Sequence, residues 1–177
     1  MARQAVGGED SPEESPKRAR RPRSLRARAL SLLARREHSR LELRRKLAPH
    51  AESPEQLDTV LDTLESQGLL SNERFADSVV NRRAARFGTA RIRQELREHE
   101  LPAELVSEHL AELDRSEYER ARQVWARRFG RPPVDLPDRM RQARFLAARG
   151  FRADVVRRVL GRRPADDEAS FDPDADS

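Results

Sequence analysis

Slid against itself by 49 positions without a gap, this 177-residue chain lays Leu43 on Ile92, Leu47 on Leu96, Leu57 on Val106, Leu61 on Leu110 and Leu64 on Leu113. The match runs through two helix-period stretches and the loop between them, which two unrelated amphipathic helices would not sustain. A shift of 42 brings Ala85-Arg86-Phe87-Gly88 over Arg127-Arg128-Phe129-Gly130, and shifts of 48 to 50 set Ile92 over Met140, Val106 over Val156 and Leu110 over Leu160. Residues 24–161 therefore divide into three units of roughly 46 residues, a period of the size found in helical solenoids. The expected boundaries are 24–70, 71–115 and 116–161. Each unit in such an array packs mainly on its neighbours, so the expected body is elongated and curved, with an extended face and no deep pocket.

The period within each unit is helical, with no alternating strand pattern and no Asn-Gly or Asp-Gly hairpin turn, so the expected fold is all-α with three helices per unit. Leu57, Val60, Leu61 and Leu64 mark one apolar stripe; Phe75, Val79, Val80, Ala84 and Phe87 mark another, and Leu105, Val106, Leu110 and Leu113 a third. Ser53-Pro54-Glu55-Gln56 and Ser116-Glu117-Tyr118-Glu119 read as capping boxes, and Pro102 and Pro137 suit helix starts. Gly88, Gly130 and Gly150 read as C-terminal caps. The aromatic side chains Phe75, Phe87, Tyr118, Trp125 and Phe129 fall on apolar stripes and are expected in the core, not as stacking platforms.

The charge is partitioned along the chain. Residues 165–177 carry −6 and residues 1–16 carry −3, so of the overall +5 the stretch 17–164 holds +14. The segments 1–23 and 162–177, rich in Pro, Ser and acids, are expected to be a disordered arm and an acidic disordered tail. A body this basic implies a polyanionic or strongly acidic partner. The alternative is an arginine-biased solvated face, since only two Lys accompany 34 Arg.

Several chemistries are disfavoured. With no Cys there is no thiolate nucleophile, thiolate zinc site or disulfide framework, and the cytoplasm is the expected compartment. No apolar run approaches the roughly 18 residues of a membrane span. Isolated glycines form neither a Walker nor a dinucleotide loop. The four His make no H-E-x-x-H, and the Glu95/His99 pair at i, i+4 reads as surface polarity. The expectation is a monomeric binding protein with no cofactor and no catalytic residues. Its candidate surface is basic and recurs from unit to unit: Arg35 and Arg36; then Arg82, Arg83 and Arg86; then Arg127 and Arg128, with Arg44 and Arg45, Arg91 and Arg93, and Arg144 on the helices that follow. Cations near a helix C-terminus also complement its dipole, which accounts for part of the recurrence. Stacked regularly, these positions would form a basic ribbon able to track phosphates or an acidic protein surface.

Arg35-Arg36-Glu37-His38-Ser39-Arg40 with Glu42-Leu43-Arg44-Arg45-Lys46-Leu47, Gly68-Leu69-Leu70-Ser71-Asn72-Glu73-Arg74-Phe75-Ala76, Arg91-Ile92-Arg93-Gln94-Glu95-Leu96 and Arg149-Gly150-Phe151 resemble, in order over residues 24–160, the RecX family of recombination regulators. The resemblance implies three tandem three-helix repeats and no catalysis. It also implies binding to the RecA recombinase and its filament on single-stranded DNA, within the filament groove, with suppression of ATP hydrolysis, strand exchange and coprotease activity. One departure stands out: where the family's second repeat usually has Lys-Gly, this chain has His99-Glu100, so a different, less basic loop is expected there. Direct DNA binding by the basic surface is the alternative function.

Overall fold

A computed structural model describes residues 24–161; the arm 1–23 and the acidic tail 162–177 lie outside the described residues. Eight α-helices and one 3₁₀ turn account for the regular structure among them: α1 Leu25–Leu33, α2 Arg40–Leu47, the 3₁₀ turn Ala48–His50, α3 Pro54–Ser66, α4 Asn72–Arg83, α5 Thr89–Glu98, α6 Ala103–Arg128, α7 Leu136–Ala147 and α8 Ala153–Leu160. Buried apolar residues gather in three clusters in chain order: Leu25 to Leu70 under α1, α2 and α3; Phe75 to Leu113 under α4, α5 and the first half of α6; Ala121 to Leu160 under the second half of α6, α7 and α8. The chain is thus three tandem three-helix repeats, each around its own small core.

Serine and aspartate side chains start most of the helices as the sequence requires. Ser24, Ser39, Ser53, Ser71 and Asp135 accept the backbone N–H three residues on, at 2.7–3.2 Å. Three starts have no such residue, one of them that of α6 after Pro102. Gly88 opens α5 and Arg152 opens α8, neither with a capping side chain of its own. A single carboxylate from α6 serves both: fully buried Glu117 accepts from Thr89 N–H at 3.2 Å and Arg152 N–H at 3.4 Å, and pairs with the Arg152 guanidinium at 2.9 Å. An anion at two helix N-termini complements both dipoles. Beside it, Arg120 donates to the carbonyls of Ala84, Phe87 and Leu113 and to Thr89 Oγ1 at 2.7–3.2 Å. Burial lowers the Arg120 pKa, against the attraction of Glu117 and Asp114.

The joint between the first two units has the same plan. Asn72, which like Glu117 follows the serine opening its unit, accepts from Arg40 N–H at 3.0 Å, the amide that starts α2. Ser39 Oγ meets His99 Nδ1 at 2.9 Å, as Gly88 N–H meets the Arg149 carbonyl at 2.9 Å one unit on. The second joint is the tighter of the two. A Cβ on Gly88 would lie 2.2 Å from the Gly150 carbonyl oxygen, and one on Gly150 would lie 2.6 Å from the Arg91 backbone.

Four readings from the sequence change. Ser116 caps nothing: it lies inside the unbroken α6, its hydroxyl turned back to the Glu112 and Leu113 carbonyls. A serine can donate back along a helix as readily as it can cap one. Gly88 begins a helix with φ −74°, and close backbone approach, not handedness, demands glycine there. Met140 is 51% exposed, and an offset of 50 instead pairs Ile92 with Gln142, Leu96 with Leu146, Leu101 with Phe151, Val106 with Val156 and Leu110 with Leu160, every one at most 7% exposed. Gln142 holds its core position because Trp125 Nε1–H donates to it at 2.6 Å and it donates to Asp138 at 3.2 Å. Of the aromatics expected in the core only Phe75 is fully buried; Phe87, Tyr118, Trp125 and Phe129 are half-buried.

At the same offset Glu100 stands where the third unit has Gly150, and both are left-handed, with φ 55° and 80°. The loop keeps the glycine conformation without the glycine. Left-handed backbone costs a side-chain-bearing residue about 1–2 kcal/mol, partly offset by a less free unfolded chain. Glu100→Gly is therefore expected to raise the denaturation free energy by roughly 0.5–1 kcal/mol. Gly88 and Gly68 separate crowding from strain. Gly88→Ala is expected to cost about 3 kcal/mol by driving the joint apart, and Gly68→Ala, left-handed with open space around it, about 1 kcal/mol; urea midpoints measure all three.

Candidate interaction surface

The arginines singled out by the sequence fall into two groups. Arg36, in the turn after α1, grips Glu42 with both terminal nitrogens; Arg44 pairs with Asp58 at 3.0 Å, Arg83 with Glu95 at 2.9 Å and Arg93 with Asp114 at 3.5 Å. These charges are largely answered within the protein. By contrast Arg35, Arg45, Arg82, Arg86, Arg91, Arg127, Arg128 and Arg144 have no carboxylate within 4 Å among the described residues. Arg35 and Arg36 lie beyond the end of α1 and not late within it, because α1 stops at Leu33; Arg82 and Arg83 end α4, and Arg127 and Arg128 end α6, where cations complement the dipole.

Several of these side chains gather at shallow hollows. On the first unit, Arg35 joins Arg28, Lys46 and His50 around about 320 Å³. On the second, Arg83 and Arg91 share a hollow of about 260 Å³ with Glu95, Glu98 and His99, so its charge is mixed. Between the second and third, Arg86, Arg127 and Arg128 meet Arg149 around about 200 Å³, next to a hollow of about 370 Å³ that adds Arg131 and Arg141. Arg45, Arg82, Arg93 and Arg144 line none of these.

Arg149 and Arg131 carry no repeat signal of their own. Arg149 could have been found from its place before Gly150, in the turn that abuts Gly88. Guanidinium groups here rest on rings: Arg149 lies 3.5 Å from the Phe145 centroid, Arg158 3.9 Å from Tyr118, Arg86 5.8 Å from Phe87 and Arg128 5.9 Å from Phe129. All four of these rings are half-buried, each with a guanidinium beside it.

Two of the four histidines, His38 and His99, pack into the structure. His38 is buried beside Glu42, with Nδ1 and Oε2 3.1 Å apart, and burial lowers its pKa despite that neighbour. His99, expected as surface polarity, packs on Phe75 at 4.6 Å between centroids and is held below the usual histidine range by the same effect. Among the described residues no group of three or more His, Asp or Glu could hold a metal, and no helix is long and apolar enough to cross a membrane.

Family models described as the first, second and third three-helix domains of RecX match residues 26–64, 71–110 and 116–160. "Regulatory protein RecX" of Ralstonia nicotianae is 58% identical over 141 residues, covering 80% of this chain and 89% of its own, and that of Leptothrix cholodnii is 55% identical over 149 residues, covering 84% and 94%. The crystal structure of RecX from Lactobacillus salivarius superposes with a TM-score of 0.65 at 17% identity, over 77% of this chain and 92% of that one, a likeness of fold. Three matched domains in order, over a body built of three three-helix units, place this chain in the RecX family of regulatory proteins.

Proposed function

We propose that this protein binds a RecA-type recombinase and its nucleoprotein filament on single-stranded DNA, and inhibits its ATP hydrolysis, strand exchange and coprotease activity. In this way it modulates DNA repair and recombination as a cytoplasmic monomer without cofactor. Units 24–70, 71–115 and 116–161 act as one basic body, with the twelve arginines named from the sequence as its contact set. The observation that carries the reading is the distribution of unpaired guanidinium groups over successive units, with eight of those arginines free of carboxylates. A filament groove presents acidic protein surface and DNA phosphate at regular intervals, and a repeat body with regularly placed cations can meet several protomers at once. Weak contacts then add through effective concentration.

A second reading, direct DNA binding, is favoured by the carboxylate-free cluster of Arg86, Arg127, Arg128 and Arg149. It would leave any effect on the recombinase indirect.

Single-strand-dependent ATP hydrolysis by the cognate recombinase is expected to fall as this protein is added, reaching strong inhibition at or below equimolar amounts; unchanged hydrolysis at several-fold excess contradicts the first reading. The second requires tight binding to oligonucleotides without recombinase. It also requires a salt dependence whose slope drops by roughly 1–2 when Arg82, Arg83 and Arg86 become Ala.

A further inference from the structure

We propose that the cleft between the second and third units is a preformed phosphate-binding site, built by the guanidinium groups of Arg86, Arg127, Arg128 and Arg149. The inference stands apart from the recombinase reading and is testable on the protein alone.

Many arginines on the described surface are answered by acids: Arg40 is held by Asp62 at 2.6 Å and Glu65 at 2.5 Å, Arg74 by Glu37 at 2.8 Å and Arg44 by Asp58 at 3.0 Å. At this cleft the pattern stops. Four arginines from three separate segments line about 200 Å³ with no carboxylate beside them: Arg86 from the turn after α4, Arg127 and Arg128 from the last turn of α6, and Arg149 from the turn after α7. None of the four forms an ion pair with a described residue. Bringing like charges together is unfavourable unless an anion shares them.

The groups are also held in place before any ligand arrives. Arg149 lies over Phe145 at 3.5 Å from the ring centroid and spends one donor on the Phe145 carbonyl at 3.1 Å. Arg127 donates to the Gln123 and Ala85 carbonyls at 3.2 and 3.3 Å, the second bond crossing between units. Arg86 and Arg128 rest over Phe87 and Phe129. Each guanidinium keeps further N–H donors for a ligand, and side chains already ordered lose little entropy on binding.

The same stacking limits what the ligand can be. Phe145 has Arg149 on one face and packs edge-to-face with Phe129, centroids 5.1 Å apart, so its ring is already engaged and is a poor platform for a base. What the cleft presents is four arginines around one hollow with no acid among them, a charge excess that suits a multiply charged tetrahedral oxyanion better than a single carboxylate. The ligand class is therefore a phosphate group, from the backbone of a nucleic acid strand or from a free polyphosphate. Because the donors straddle two units, an occupied site also braces the second joint.

The molecule carries its own reporter. Trp125, its single tryptophan, donates to Gln142, which lines the adjoining hollow together with Arg128 and Phe145. Titration of the full chain with inorganic pyrophosphate, and separately with a short oligothymidylate, is expected to give a saturable change in tryptophan emission. Arg86→Ala with Arg128→Ala, both exposed and outside any core, should weaken the response at least tenfold. Arg149→Lys, which keeps the charge and removes the fork, should weaken it several-fold. Arg97→Ala with Arg157→Ala, exposed residues in the last turns of α5 and α8 that remove the same charge elsewhere, should leave it within about twofold. Pyrophosphate binding as tightly as the oligonucleotide assigns the site to free polyphosphate; an oligonucleotide at least tenfold tighter assigns it to a strand. The proposal is overturned by no saturable change with either ligand, by equal loss in the two double variants, or by poly-glutamate competing as well as pyrophosphate.

Discussion

The body depends on how its helix starts are satisfied. An α-helix begins with N–H groups that have no partner of their own, and when the start is buried water cannot supply one. Here α2 and α5, the second helices of the first two units, give their opening amide to a side chain of the next unit's first helix: Arg40 N–H to Asn72 and Thr89 N–H to Glu117. A unit taken alone would leave that donor unmet. The joint therefore completes local structure as well as packing apolar surface, and three small cores become one body.

Glu117 shows how much rests on one residue. Its carboxylate is fully buried, reaches two helix starts and pairs with Arg152, while Arg120 a turn further on ties the turn after α4 to α6. An unbroken α6 is what allows this, because it carries the last helix of one unit into the first helix of the next and fixes their relation. The same geometry brings the turn after α4 against the turn after α7, Gly88 against Gly150, and so sets Arg86 beside Arg149 across the joint. The basic cleft is a product of the joint: the two turns carry both the glycines that must touch and the arginines that converge.

Apolar register was legible in the chain because burial demands it. Leu43, Leu47, Leu57, Leu61 and Leu64, with their counterparts Ile92, Leu96, Val106, Leu110 and Leu113, are all at most 5% exposed. The third copy misled at Met140 because the true core residue, Gln142, is polar, and only the indole of Trp125 and the carboxylate of Asp138 make it fit. Ser116 and Gly88 misled because a short polar residue or a glycine has several uses, and which one operates is decided by chain segments tens of residues away. The arginines were legible as a set and not as a site. Their recurrence is written in the sequence, but whether a guanidinium is answered by a carboxylate depends on side chains from other helices, as with Arg44 and Asp58 or Arg83 and Glu95. In the sequence Arg149 reads as part of a motif and not as a cation at a site, because its place beside Arg86 depends on Gly150 packing against Arg91.

Amide hydrogen exchange of the native protein tests most directly the claim that each unit is completed by the next. The N–H groups of Gly88 and Thr89 open a helix, a position that ordinarily frays and exchanges fast, yet here they are bonded across the joint to Arg149 and Glu117. The account predicts that these two amides exchange as slowly as those of Ile92 and Leu96 in the core of the same helix, through opening of the whole body. Exchange at the rate of the exposed start of α6, at Ala103 and Glu104, would contradict it.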